Sequence, residues 1–191
     1  TLVSTSKLSR PARRSPITGL EALETRVLFS FAPAVLYDAN PLGLLISSVD
    51  AVATGDVNGD GKLDMIATMP GIDQIGVLLG KGDGTFKQGK EYSMGLGLEP
   101  TGITLNDFNG DGMSDIYWRN LSSGLTAIWT MNGLSITQMS MVFQETDQHW
   151  QVAALSDFDG DGHADVLWRN SITGGNYLQF MNGTQVLPSS T

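Results

Sequence analysis

The sequence predicts an all-β protein of three four-stranded antiparallel units, preceded by an extended N-terminal segment, and three observations lead there. An acidic loop recurs with its first Asp at positions 56, 107 and 157, so the repeat is about fifty residues long, the size of a propeller blade or a solenoid turn. Each loop runs into a β-branched and aromatic stretch: Met65-Ile-Ala-Thr68, Ile116-Tyr-Trp-Arg-Asn120 and Val166-Leu-Trp-Arg-Asn170, which is strand chemistry. Asn132-Gly133 and Asn182-Gly183 lie between apolar stretches, a hairpin signal because a type I′ turn needs positive φ at both central residues. Three propeller-like blades, forming an incomplete or open propeller, are therefore expected.

Taken in order, residues 1–43 form an N-terminal extension. Thr1 to Arg14 is rich in Ser, Pro and Arg and has no long apolar run, so neither a transmembrane helix nor a standard signal peptide is expected there. Val27 to Tyr37 is apolar and β-prone. It can complete the first blade, or be donated to the sheet edge of a neighbouring subunit. The repeats then span about 44–95, 96–145 and 146–191. The first departs from its siblings, carrying Ile66-Ala-Thr68 in place of Trp-Arg-Asn and a Gly-rich turn within Val77 to Phe86 that lacks a full ligand set. The second and third align without a gap from Asp107 and Asp157, sharing Trp-Arg-Asn, a central Gly (Gly124, Gly174) and Met-Asn-Gly. Strands in the third are expected near Gln151 to Leu155, Asp165 to Asn170, Asn176 to Met181 and Thr184 to Leu187.

The loops themselves read Asp56-Val-Asn58-Gly-Asp60-Gly-Lys62-Leu-Asp64, Asp107-Phe-Asn109-Gly-Asp111-Gly-Met113-Ser-Asp115 and Asp157-Phe-Asp159-Gly-Asp161-Gly-His163-Ala-Asp165. Side-chain oxygens at positions one, three, five and nine, with Gly at six for a sharp turn, suit a hard cation, because Ca²⁺ takes six to eight oxygens in flexible geometry. The backbone carbonyls of Lys62, Met113 and His163 would add a ligand at position seven. An EF-hand would need a Glu at position twelve and flanking helices; here position twelve is Ala67, Trp118 and Trp168. One such cluster is commonly just a turn, but three copies in register point to Ca²⁺ at three sites. The third loop, with four Asp where the others have three and an Asn, is expected to hold it most tightly.

These loops and their flanking strands resemble FG-GAP repeats, also called VCBS repeats, known from the propeller of integrin alpha subunits, over roughly Leu44 to Leu187. Val77 to Phe86 is similar to the Leu-Leu-Gly-Xaa-Gly-Asp-Gly-Thr-Phe stretch of bacterial members. The resemblance implies calcium at the acidic loops and a role in adhesion or scaffolding, sometimes in sugar binding. Leu23-Glu-Thr-Arg-Val-Leu-Phe29 resembles the Leu-Glu-Pro-Arg-Xaa-Leu-Leu segment of large bacterial surface proteins, with Thr25 for Pro and Phe29 for the last Leu; this resemblance implies export to the cell surface or beyond. Propellers have four to eight blades. Three blades leave sheet edges that template pairing, so the chain is expected to be a fragment, part of a closed oligomer, or a subunit of an open polymer.

Composition bounds the rest. The net charge is −9 and cysteine is absent, which excludes a simple nucleic-acid binder and any disulfide staple. Residues 1–26 carry a net +3 and residues 27–191 a net −12; three Ca²⁺ would halve the latter, and without them ten clustered Asp side chains repel one another. Catalysis is not expected: His149 and His163 have no Ser or Cys nucleophile arrangement around them, and the Asp residues suited to acid–base work are committed to the loops. Among Trp118, Trp129, Trp150 and Trp168, the equivalent Trp118 and Trp168 alternate as core-facing residues do, while Trp129, matched by Gln179, is the one expected at the surface. Arg119 and Arg169 would contact a neighbouring acidic loop or lie on a solvated face. Asn120-Leu-Ser122 and Asn182-Gly-Thr184 fit the N-glycosylation pattern, with most such matches expected to be silent. The function expected is that of an exported, calcium-binding structural or adhesive protein that self-associates. The alternative is a calcium-dependent carbohydrate-binding module with glycans as partners.

Overall fold

The computed structural model describes residues 49–87 and 89–188. The N-terminal extension, with its Arg-rich tail, its surface-protein-like segment and the Val27 to Tyr37 stretch, lies outside the described residues.

Among the described residues the protein is all-β. In the first unit β1 (Ala51–Gly55), β2 (Asp64–Met69), β3 (Gln74–Leu78) and β4 (Lys90–Ser93) form one antiparallel sheet in chain order. In the second, β5 (Gly102–Asn106), β6 (Asp115–Arg119), β7 (Leu125–Asn132) and β8 (Ser135–Gln144) repeat that order. The third is divided into a three-stranded sheet of β9 (Trp150–Ser156), β10 (Asp165–Asn170) and β11 (Asn176–Gln179), and a hairpin of β12 (Met181–Asn182) and β13 (Gln185–Val186). The strands expected in the third unit are thus present, but the third of them breaks at Phe180. There the main-chain donor of Met181 leaves the ladder for the Asp165 carboxylate, 2.9 Å away.

The Asn-Gly hairpins form one residue out of the expected register. Asn132 pairs with Ser135 and Asn182 with Gln185, so the central residues are Gly133-Leu134 and Gly183-Thr184. Positive φ falls on the glycines alone, at 59° and 60°, as in a type II′ turn with Gly first. The shift has a tertiary reason: the N–H of Gly133 donates to the Val57 carbonyl (2.7 Å) and that of Gly183 to the Phe108 carbonyl (2.9 Å), each in the preceding unit.

The core lies between units rather than inside them. Val57, Ile66, Ile75, Val77 and Tyr92 of the first unit pack against Ile116, Trp118, Ala127, Trp129 and Met131 of the second. Phe108, Tyr117 and Ile128 of the second pack against Ala164, Val166, Trp168 and Met181 of the third. β6 is consequently buried on both faces, as a strand sandwiched between neighbours must be. Trp129 does not lie at the surface as its Gln counterpart suggested; it is 4% exposed and meets the edges of Tyr92 and Trp118, with ring centroids 6.0 and 6.4 Å away. Gln179 at the equivalent place serves a different need, accepting the buried indole N–H of Trp168 at 3.0 Å.

Arg119 is neither on a solvated face nor at an acidic loop. Only 4% exposed, it crosses to the third unit, donating to the carbonyls of Trp150 (2.6 Å) and Glu145 (3.2 Å) with its guanidinium 4.9 Å from the Trp168 ring centroid. Arg169, at the same repeat position, is exposed and donates to Asn176 Oδ1 at 3.3 Å. Arg119→Ala should therefore cost about 2–4 kcal/mol, the scale of two charge-assisted hydrogen bonds and a desolvated cation–π contact less the relief of desolvation. Arg169→Ala should stay within about 0.5 kcal/mol. Urea unfolding of both variants checks this, and equal losses would contradict it.

Asn120 is likewise structural. Its Oδ1 accepts the N–H groups of Ser122 and Ser123, both at 2.8 Å, and its Nδ2 donates to the Leu98 carbonyl at 3.1 Å. At 4% exposed it is closed to glycan attachment in the folded state. Asn170 repeats the turn with Ile172 and Thr173, whereas Asn182 is exposed.

Candidate metal centres

Each acidic loop joins the first two strands of its unit and is wound by its own carboxylates. The first Asp collects main-chain donors: Asp56 Oδ1 accepts from Gly59 (2.7 Å) and Oδ2 from Gly61 (2.7 Å), Asp107 from Gly110 and Gly112 (both 2.7 Å), and Asp157 from Gly160 (2.6 Å) and Gly162 (3.0 Å). These donors hold the Asp157 carboxyl below its usual pKa, Gly162 most of all. The third position turns the chain again, with Asn58, Asn109 and Asp159 accepting from Asp60, Asp111 and Asp161 at 2.9, 3.0 and 3.1 Å. Gly59 and Gly61 take positive φ, 71° and 76°, as do their counterparts, which permits so tight a winding.

The ninth Asp behaves differently from the rest. Asp64, Asp115 and Asp165 are fully buried, and each uses one oxygen for the N–H at loop position two and the other for an N–H at the end of the unit's third strand. Asp64 accepts from Val57 (2.9 Å) and Gly80 (2.8 Å). Asp115 accepts from Phe108 and Met131, and Asp165 from Phe158 and Met181, all at 2.9 Å. Burial nonetheless pushes the Asp115 carboxyl up to about 6 and raises that of Asp64. A carboxylate offers about four lone-pair sites, so two remain on each ninth Asp. A buried anion of this kind gains from a compensating cation.

The third loop brings carboxylates together: ligand atoms of Asp157, Asp159 and Asp165 all lie within 4.8 Å of one another. Oxygens bound to one Ca²⁺ at about 2.3–2.6 Å must lie about that close, so this donor set fits the ion. Asp161 is outside that group; its Oδ1 accepts the His163 N–H at 2.8 Å. In the first loop Lys62 Nζ sits 3.1 Å from Asp60 Oδ2, and the ammonium lowers the Asp60 pKa, so a cation there competes with a side chain already in place. In the second, Asn109 Nδ2 donates to Asp111 Oδ2 at 3.0 Å.

In the second and third loops the seventh-position side chains face the preceding loop. His163 Nδ1 lies 3.0 Å from the Phe108 carbonyl, and Met113 lies beside Gly59. Main-chain bonds run the same way, from Ser114 N–H to the Asp56 carbonyl (2.6 Å) and from Ala164 N–H to the Asp107 carbonyl (2.8 Å). The loops are therefore also the joints between units, a role no single-repeat pattern displays. The other histidine, His149, pairs with Asp147 at 2.7 Å in an exposed turn, and among the described residues no Ser or Thr hydroxyl bonds to that pair.

A family model described as FG-GAP-like repeat matches residues 56–118 and 107–168. The matched region covers more than half of the chain and contains all three loops, so the chain belongs to the FG-GAP-like repeat family, whose propeller-like blades the sheet units fit. A comparison with curated proteins found no match. Among the described residues no helix is long and apolar enough to cross a membrane.

Proposed function

We propose that this chain is a calcium-stabilised, non-enzymatic module of an exported structural or adhesive protein, and that it works by self-association as part of an open or incomplete propeller. The observation that carries the reading is the double duty of the loops. The carboxylates that fit a cation sit on the same few residues that bond one unit to the next, so an ion at Asp157, Asp159 and Asp165, and at the equivalent loops, stiffens the joints of the whole array. The ninth Asp, buried and short of a counter-charge, gives the folded state a reason to take up a dication. Repeats of this family are typical of extracellular and surface proteins, which supports export. The lectin alternative loses its main support, because Trp118, Trp129 and Trp168 are buried and Trp150 is half-buried, leaving no open indole to stack on a sugar.

Light scattering and negative-stain electron microscopy in calcium and after EGTA test the reading. Ordered multimers that disperse on chelation are expected. Dispersed particles under both conditions would contradict self-association.

A further inference from the structure

Trp118 and Trp168 hold the same repeat position and are both fully buried, yet only one of the two indoles is satisfied. The Trp168 N–H donates to Gln179 Oε1 at 3.0 Å. The Trp118 N–H, also shut off from water, has no hydrogen-bond partner among the described residues. One residue makes the difference: the second unit has Trp129 where the third has Gln179, and an indole is a donor with no lone pair to offer. Buried donors without acceptors are rare in native interiors, so this one calls for a partner from outside the chain. Both tryptophans also wall a groove of about 260 Å³, larger than the roughly 150 Å³ that admits benzene to an apolar cavity. β4 contributes Tyr92 to it, and β8 contributes Ile136, Met139 and Met141. The Tyr92 hydroxyl is already engaged, donating to the Leu134 carbonyl at 2.8 Å. Met139 and Met141 are 62% and 51% exposed, so the mouth of the groove is formed by flexible thioethers that adapt to the shape of a guest.

We propose that this groove binds a small apolar molecule carrying one acceptor oxygen, such as a ketone, ester or amide. Its hydrocarbon body lies against Tyr92 and Trp129, and its carbonyl accepts the Trp118 N–H as Gln179 accepts that of Trp168. The ligand class follows from the two kinds of wall. Aromatic rings and thioethers favour an apolar body, and no charged side chain lines the groove among the described residues, so an ionic ligand gains nothing there. The orphaned N–H selects the oxygen, because a site with a buried donor rejects an analogue that leaves the donor unpaired. Binding of this kind requires no second copy of the chain.

Acetophenone and ethylbenzene test the site, because they have nearly the same shape and only the first carries an acceptor. In nuclear magnetic resonance titrations of the isotope-labelled chain, acetophenone should bind at least about tenfold more tightly than ethylbenzene. It should also shift one indole N–H signal strongly, the signal that is missing from the spectrum of Trp118→Phe. That variant keeps an aromatic ring in place and removes the donor, so its affinities for the two probes should be equal. Trp129→Gln should reduce the preference as well, by supplying from within the chain the acceptor that Gln179 supplies in the third unit. Melting profiles establish that each variant is folded. Equal affinities in the parent chain, no indole shift with acetophenone, or an undiminished preference in folded Trp118→Phe would overturn the site. Should either variant fail to fold, the comparison of the two probes on the parent chain decides alone.

Discussion

Removing calcium should lower the melting temperature by about 15–30 °C. An ion that binds only the folded state adds about 2.7 kcal/mol when its free concentration is a hundred times its dissociation constant. Three such sites give about 8 kcal/mol, comparable to the whole stability of an ordinary domain, and about 2–4 °C accompanies each kcal/mol at this chain length. The effect should be large here for a local reason as well: each ninth Asp is buried, and burial raises the pKa of Asp64 and Asp115, so the metal-free fold carries buried negative charge. Differential scanning calorimetry with millimolar calcium and with EGTA measures the shift, and coincident curves would contradict the account.

Asp115→Ala should be the most damaging single substitution. It strips the partners from two main-chain donors, Phe108 N–H and Met131 N–H, each of which costs about 1–3 kcal/mol when left buried and unpaired. The same pair of bonds ties the loop to the end of β7, so the second unit, which supports both neighbours, loosens first. The loss should be greater in calcium than in EGTA, because without the ion the substitution also removes an unfavourable buried charge. The unsubstituted chain carries the matching pH signature in EGTA. The folded pKa of Asp115, about 6, lies above its ordinary value of 3.8, so the folded state holds the proton more tightly. Its contribution to stability is full below about pH 4 and is lost as pH rises through about 6. Urea midpoints of Asp115→Ala in both media, and of the parent chain across that pH range in EGTA, check these outcomes. A mild loss that is equal in both media would contradict the double role given to the ninth Asp.

Much of this was legible in the residues. The spacing of the loops, the strands that follow them and the Met-Asn-Gly hairpins gave the units and their order, because each is a local pattern within one repeat. What escaped is what one unit does to the next. Trp129 was expected at the surface since its counterpart is Gln179, yet the first unit supplies Tyr92 to cover it, whereas Gln179 satisfies Trp168. The hairpin glycines take a type II′ setting rather than the expected type I′ because their N–H groups are needed by Val57 and Phe108 across a joint. Arg119 and Arg169 sit in the same Trp-Arg-Asn triplet, and what separates them is that only Arg119 has a following unit to cross to. The loop spacing marks the ninth Asp only as one ligand among several. Its bonds to loop position two and to the close of the third strand were foreshadowed only by the fixed register of Gly80, Met131 and Met181 behind the loops, a signal visible once the three units are superposed.

Calorimetric titration of the EGTA-stripped and dialysed protein with calcium chloride counts the calcium ions that one chain takes up. The proposed set of three sites predicts close to three ions per chain, with the tightest lost in Asp159→Ala, which removes the carboxylate peculiar to the third loop. No binding heat, or a stoichiometry unchanged in that variant, would contradict it.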